Sequence, residues 1–180
     1  ADAGDDAGID YGNDIIVTAT GRAQRSQDIP IAVNVVGGEQ LENSGISDIR
    51  GLRQVAPSFQ ATTGQSSASG VVLRIRGIGT AGDNPGFEPS VGVFVDGVFR
   101  ARAGLALADL PPIDRVEVLR GPQGTLFGRN TSAGALNIVT QGPQFKLGGY
   151  AEASYGNLDE IELKAGFTGP VSEKIALRLD

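Results

Sequence analysis

From Leu147 onward the apolar residues fall on odd numbers. Leu147, Ala151, Ala153 and Tyr155 form one set, Ile161, Leu163, Ala165 and Phe167 a second, and Ile175, Leu177 and Leu179 a third. Even positions carry Glu152, Ser154, Glu160, Glu162, Lys164, Lys174, Arg178 and Asp180. A period of two means strands with one apolar face. Gly156-Asn157 and Gly169-Pro170-Val171-Ser172 separate the sets and read as turns. Alternating segments of about ten residues joined by tight turns make the pattern of a transmembrane β-barrel. An amphipathic antiparallel sheet in a soluble domain gives the same pattern. Three strands cannot close a barrel, and the alternation is still running at Asp180, so most of such a barrel is expected outside this chain.

Upstream the pattern is that of a small α+β domain. Ile31 to Val36 reads as a strand ending at Gly37-Gly38, and Glu39 to Ser44 as a helical turn stopped by Gly45. Ser47 is placed to cap a second helix with Asp48 in its first turn. Ile49, Leu52, Val55 and Ala56 share one helical face, and Pro57 ends it. Ala61 to Gly70 reads as a Ser- and Gly-rich loop. Val71 to Arg76 alternates, and Val91 to Val95 and Val98-Phe99 flank Asp96-Gly97, a two-residue hairpin signal. Ile113 to Leu119 and Ala135 to Val139 complete a set of about five short strands. The expected fold is a small mixed sheet with short helices, followed by the first antiparallel strands of a barrel.

Charge and composition narrow this picture. Ala1 to Asp14 holds Asp2, Asp5, Asp6, Asp10 and Asp14 and no base, whereas the remainder is close to neutral. No basic stripe exists for nucleic acid. The acidic, Gly- and Ala-rich start has almost nothing to bury and reads as disordered over residues 1–13. Ala-Asp-Ala at the start suits a mature end left by signal peptidase, although a truncated start would look the same. The chain has no Cys and no His. That excludes disulfides, thiolate metal sites, His-ligated metals and Ser-His catalysis, so neither cofactor nor metal is expected. No apolar run is long enough for a membrane-spanning helix. Arg is the only base of the α+β domain, and Lys appears only at Lys146, Lys164 and Lys174. Arg suits enclosed, multiply bonded ion pairs, though genome composition gives the same bias.

One motif misleads. Gly77-Ile-Gly-Thr-Ala-Gly82 matches the dinucleotide fingerprint, but Asp83-Asn84-Pro85-Gly86 follows where a helix must start to hold a pyrophosphate. Asp109, Asp114 and Glu117 show no paired arrangement for acid-base work. The chain is therefore not expected to be an enzyme.

The most specific segment is Ile113-Asp-Arg-Val-Glu-Val-Leu-Arg-Gly-Pro-Gln-Gly-Thr-Leu-Phe-Gly-Arg-Asn-Thr-Ser-Ala-Gly-Ala-Leu-Asn-Ile-Val-Thr140. It resembles the C-terminal half of the plug of TonB-dependent outer-membrane receptors. Leu73-Arg-Ile-Arg-Gly77 and Val93-Phe-Val-Asp-Gly97 resemble that plug too, in order and spacing. The β-prone run Asp14, Ile15, Ile16, Val17, Thr18, Ala19 and Thr20 resembles the TonB box. An ordinary first strand is its plain alternative. Tyr150 to Asp180 resembles the first barrel strands.

The resemblance implies a layout of residues 1–13 as a tail, 14–20 as TonB box, 21–141 as plug and 142–180 as the start of a barrel of about 22 strands. It implies that Arg76 and Arg120 pair with barrel glutamates. Either Arg bridging Glu117 or Asp114 inside the plug is the local alternative. Loops at Thr80 to Ser90 and Phe99 to Ala108 would offer Asp83, Asn84, Phe87, Arg100 and Arg102 to an anionic or aromatic ligand. The implied function is active import of a scarce nutrient, a ferric siderophore foremost, across the outer membrane of a Gram-negative bacterium. TonB, with its inner-membrane ExbB/ExbD complex, would supply the energy, and outer-membrane lipid would surround the barrel. With so few residues ahead of Asp14, a transporter without an added signalling domain is expected. The competing reading is a soluble plug-only interaction module, favoured only if the chain truly ends near Asp180.

Overall fold

A computed structural model describes residues 16–18, 22, 24–46, 49–63, 71–80, 88–101, 112–156 and 161–180. In chain order the elements are strands β1 (Ile16–Val17), β2 (Gln24–Arg25) and β3 (Val33–Gly37), helix α1 (Gly38–Asn43), and a 3-10 helix at Ile49–Gln54. Strands β4 (Phe59–Thr63), β5 (Val71–Ile75), β6 (Val91–Val95), β7 (Val98–Arg100) and β8 (Ile113–Arg120) follow. Helix α2 (Gly124–Phe127), β9 (Gly134–Thr140), β10 (Gly148–Tyr155), β11 (Ile161–Ser172) and β12 (Ile175–Leu179) complete the chain.

The centre is a five-stranded sheet in the order β3-β8-β9-β6-β7. It is mixed because β6 runs parallel to β9 while the other pairs are antiparallel. Both of its faces are covered, which explains why β6, Val-Gly-Val-Phe-Val, is apolar throughout instead of alternating. One face sends Val36, Val91, Val93, Val116, Val118, Leu136 and Ile138 against Leu41, Ile49, Leu52, Phe59 and Ile75. The other face packs Phe94, Leu119 and Ala135 against Val17 and Ile29. The N-terminal segment is thus a cover for the sheet's second face.

Two hairpin ends depend on positive φ. Asp96 (φ 49) and Gly97 (φ 78) close β6 on β7, the pattern of a type I′ turn. Thr140 fixes Asp96 by donating its N–H and hydroxyl to the two carboxylate oxygens, both at 2.9 Å. Arg76 (φ 54) and Gly77 (φ 78) make a second such turn, with reciprocal bonds between Ile75 and Ile78. Gly77 therefore turns a hairpin and opens no helix, and a Cβ on Gly79 would lie 2.3 Å from the Leu73 carbonyl oxygen. Of the motif's described glycines, Gly77 serves the turn and Gly79 a close approach to the β5 backbone.

Three sequence expectations are corrected. Phe59–Thr63 is strand β4, paired with β5 from Phe59↔Ile75 to Thr63↔Val71; Ala61 to Gly70 is not loop from its start. Burial of Phe59 and half-burial of Ala61 give β4 an inward face that a Thr-rich pentad hides in the sequence. The segment after Ile46 is a 3-10 helix rather than an α-helix; Ser47 and Asp48, its expected cap, lie outside the described residues. Gly169-Pro170 does not end a strand: β11 runs on to Ser172 and turns at Glu173-Lys174. Pro170 lacks an N–H, and the register shifts between Pro170 and Ser172, a bulge where a missing donor is tolerated.

β10, β11 and β12 form a separate antiparallel sheet. Odd residues pair with odd across it, as in Ala151↔Ala165, Ala153↔Leu163 and Phe167↔Leu179. Its odd face is bare: Leu163 is 74%, Ile161 68% and Leu179 63% exposed. The even side faces α1. Between α1 and that side lies a cleft of about 690 Å³ bordered by Leu41, Glu42, Gln144, Tyr150, Lys164 and Arg178. The Gln144 N–H donates to Thr168 Oγ1 at 2.9 Å, and Arg178 Nη1 donates to Gln141 Oε1 at 3.3 Å. These bonds fasten the connecting segment to the second sheet.

Candidate functional site

Among the described residues the N-terminal segment is held by a short ladder and one buried carboxylate. Among the described residues β1 pairs with β2 at Ile16↔Arg25 and Val17↔Gln24. Val17 is fully buried against the sheet. One residue on, the Thr18 N–H donates to Glu117 Oε1 at 2.9 Å, and its hydroxyl donates to the same oxygen at 3.3 Å.

Glu117 stands at the middle of β8 and is fully buried. Burying a carboxylate requires partners. Arg115 Nε supplies one at 2.8 Å, and Asn137 Nδ2, directly across on β9, donates to Oε2 at 3.0 Å. Arg115 Nη2 also reaches Thr18 Oγ1 at 3.1 Å, and Nη1 donates to Asp114. All the donors converge because Arg115, Glu117 and Asn137 lie on adjacent strands of one sheet face. A cleft of about 460 Å³ adjoins Thr18 and Asn137. Of the expected TonB-box residues, Ile16, Val17 and Thr18 are thus brought onto the sheet; Asp14, Ile15, Ala19 and Thr20 lie outside the described residues.

Sequence reasoning missed this cluster. The signal was an acid and an amide inside apolar strands, Val-Glu-Val-Leu and Leu-Asn-Ile-Val, each at the position facing the same side. What could not be read was that Thr18, 99 residues away, completes it.

Arg76 and Arg120 take no part in it. Both carboxylates that offered an internal bridge, Asp114 and Glu117, are held by Arg115 instead. Arg76 projects exposed from its turn, its N–H donating to the Ser58 carbonyl at 2.8 Å. Arg120 ends β8, donating its N–H to Ala32 O at 2.9 Å, with Nε 3.5 Å from the same oxygen. Among the described residues no carboxylate pairs with either guanidinium.

Of the expected ligand residues, Arg100 ends β7, exposed, at the same end of the sheet as Gly134 and Arg120. Asp83, Asn84, Phe87 and Arg102 lie outside the described residues. Beside this end an exposed pair, Arg129 and Glu88, meets at 3.2 Å. Among the described residues no His, Cys, Asp and Glu group is placed to hold a metal ion.

The TonB-dependent Receptor Plug Domain family matches residues 25–135. The pesticin receptor of Yersinia pestis is 31% identical over 160 residues, covering 88% of this chain and 23% of that protein. The iron-regulated outer membrane virulence protein of Vibrio cholerae is 28% identical over 183 residues, covering 92% of this chain and 26% of its own. Among solved structures, the ferric yersiniabactin uptake receptor of Yersinia pestis superposes with a TM-score of 0.66 at 29% identity, over 79% of this chain and 22% of that one. The chain spans about a quarter of the length of the curated relatives it matches.

Proposed function

The chain belongs to the TonB-dependent receptors of the Gram-negative outer membrane, through their plug domain, and we propose that it gates the import of an iron chelate driven by TonB. The observation that carries this is the N-terminal segment: a strand held at its end by two paired positions and one buried carboxylate. An extended segment that detaches can add as a strand to a partner's sheet edge. In this reading residues 14–20 form the TonB box, 1–13 the acidic tail ahead of it, and 21–141 the plug. Residues 142–180 begin a barrel of about 22 strands. TonB, working with an inner-membrane ExbB/ExbD complex, pulls the box and remodels the plug.

The substrate class is supported by the relatives, one an uptake receptor for ferric yersiniabactin and another iron-regulated. Arg100, with Asp83, Asn84, Phe87 and Arg102, would meet an anionic chelate, and Arg76 and Arg120 would dock the plug on barrel carboxylates. A soluble plug-only module is disfavoured by the bare apolar face of β10 to β12, which water would not tolerate as an isolated patch. The test is Val17→Pro in the whole receptor. Proline removes a ladder donor and fixes φ. Uptake of ferric chelate should cease while chelate affinity at the cell surface stays unchanged. Normal uptake by the mutant would reject the reading.

A further inference from the structure

We propose that Glu117, oriented by Arg115 and Asn137, is a positioning site that keeps the N-terminal segment closed and sets how often it is released to a partner. The proposal deepens the reading of residues 14–20 as the TonB-binding strand and rests on it for the partner's identity.

Closed and partner-bound states exclude each other. Strand addition needs the free backbone of the segment. In the closed state β2 pairs with Ile16 and Val17, while Glu117 takes the N–H of Thr18. The partner and the plug therefore compete for the same few groups.

The cluster is also built to let go. Glu117 and Asn137 sit opposite each other on β8 and β9, both flanked by neighbours on either side within the sheet. Arg115 is on the same strand as Glu117, so this half of the clamp stays put when the segment leaves. The Arg115 and Asn137 bonds, at 2.8 and 3.0 Å, remain on the carboxylate. Only the oxygen facing Thr18 loses donors, and the cleft next to Thr18 admits water to replace them. Release thus leaves no buried charge unpartnered. A hydrophobic clasp alone would give no direction; the carboxylate fixes Thr18 in one orientation because it takes both its N–H and its hydroxyl.

The experiment uses the whole receptor reconstituted in lipid without partner. A nitroxide on Ile16→Cys reports the segment, immobile in the otherwise unaltered protein. Glu117→Gln keeps the shape and removes the charge. Charge-assisted bonds to Thr18 are then weakened, and the mobile fraction should rise on the order of tenfold. Thr18→Val removes the hydroxyl contacts but keeps the N–H, and should raise it a few-fold. Affinity for the purified periplasmic domain of TonB should tighten with Glu117→Gln by about the same factor as release, because a scarcely populated open state taxes binding. General damage to the plug would not tighten binding. An immobile label in correctly inserted Glu117→Gln receptor would overturn the proposal. Should that variant fail to reach the membrane, an unchanged label with Thr18→Val would overturn it. Labels freed as expected, with no TonB binding by any receptor, would uphold the clamp and reject the assigned partner.

Discussion

Arg76 shows how a single residue can carry two opposed demands. Its φ of 54 places a long side chain in the left-handed region, at the first centre of a type I′ turn where Asn or Gly is preferred. Arg76→Asn should therefore stabilise the plug, by about 1 kcal/mol, read as a higher melting temperature. If the arginine docks the plug on the barrel, the same variant should loosen docking and increase antibiotic leakage through the receptor. Arg120 differs because its backbone is unstrained at the end of β8. Arg120→Ala should barely change plug melting. If Arg120 pairs with a barrel carboxylate, losing it should cost docking about 3–5 kcal/mol for a buried pair, or under about 1 kcal/mol where water reaches the pair. Leakage through the intact receptor measures it. Melting lowered without leakage would mean that Arg120 serves the plug internally.

At the scale of elements, β10 and β11 are the clearest case of pattern becoming structure. The register pairs odd with odd and even with even along eight positions, Gly148↔Thr168 to Tyr155↔Ile161. One face then carries Ala, Leu, Ile and aromatic residues, the other Glu, Lys, Tyr and Thr. Spin labels at Ala151 and Ala165 should be reached by lipid-soluble quenchers, and labels at Glu152 and Lys164 should not. The reverse pattern would mean that the sheet faces the other way. β1 behaves differently: two described residues long, it is held by the buried Val17 and the Glu117 bonds as well as by its short ladder. Short elements at a chain's edge are drawn from the low-stability end of a structure, where moving parts are found.

For the whole molecule, the two sheets divide the work. The five-stranded sheet is covered on both faces, with the N-terminal segment on one side. The three-stranded sheet is bare on its odd face and tied to the plug by the segment between them, through Gln144 to Thr168 and Gln141 to Arg178. A force on the N-terminus therefore meets the cover first and the tied end last. If the odd face meets lipid, Leu163→Arg should destabilise the inserted receptor by about 2–4 kcal/mol near the bilayer midplane. Lys164→Gln, one residue along on the inner side, should cost little. Denaturant unfolding of the receptor in detergent or lipid compares them, and equal effects would argue against a membrane-facing odd side.

The sequence by itself determined the local elements and the family. Period-two runs marked β5 and β10 to β12, short apolar runs marked β6 and β8, and Asp96-Gly97 marked a turn, because those signals depend on near neighbours. The run from Ile113 to Thr140 identified the plug without any structure. Tertiary structure decided the pairings. β4 became a strand only because β5 lay alongside it. Pro170 stayed inside β11 because a bulge absorbs its missing donor. Thr18, Arg115, Glu117 and Asn137 became one site because folding laid the start of the chain across β8 and β9. Local periodicity records which way a side chain faces; it does not record which distant residue it will meet there.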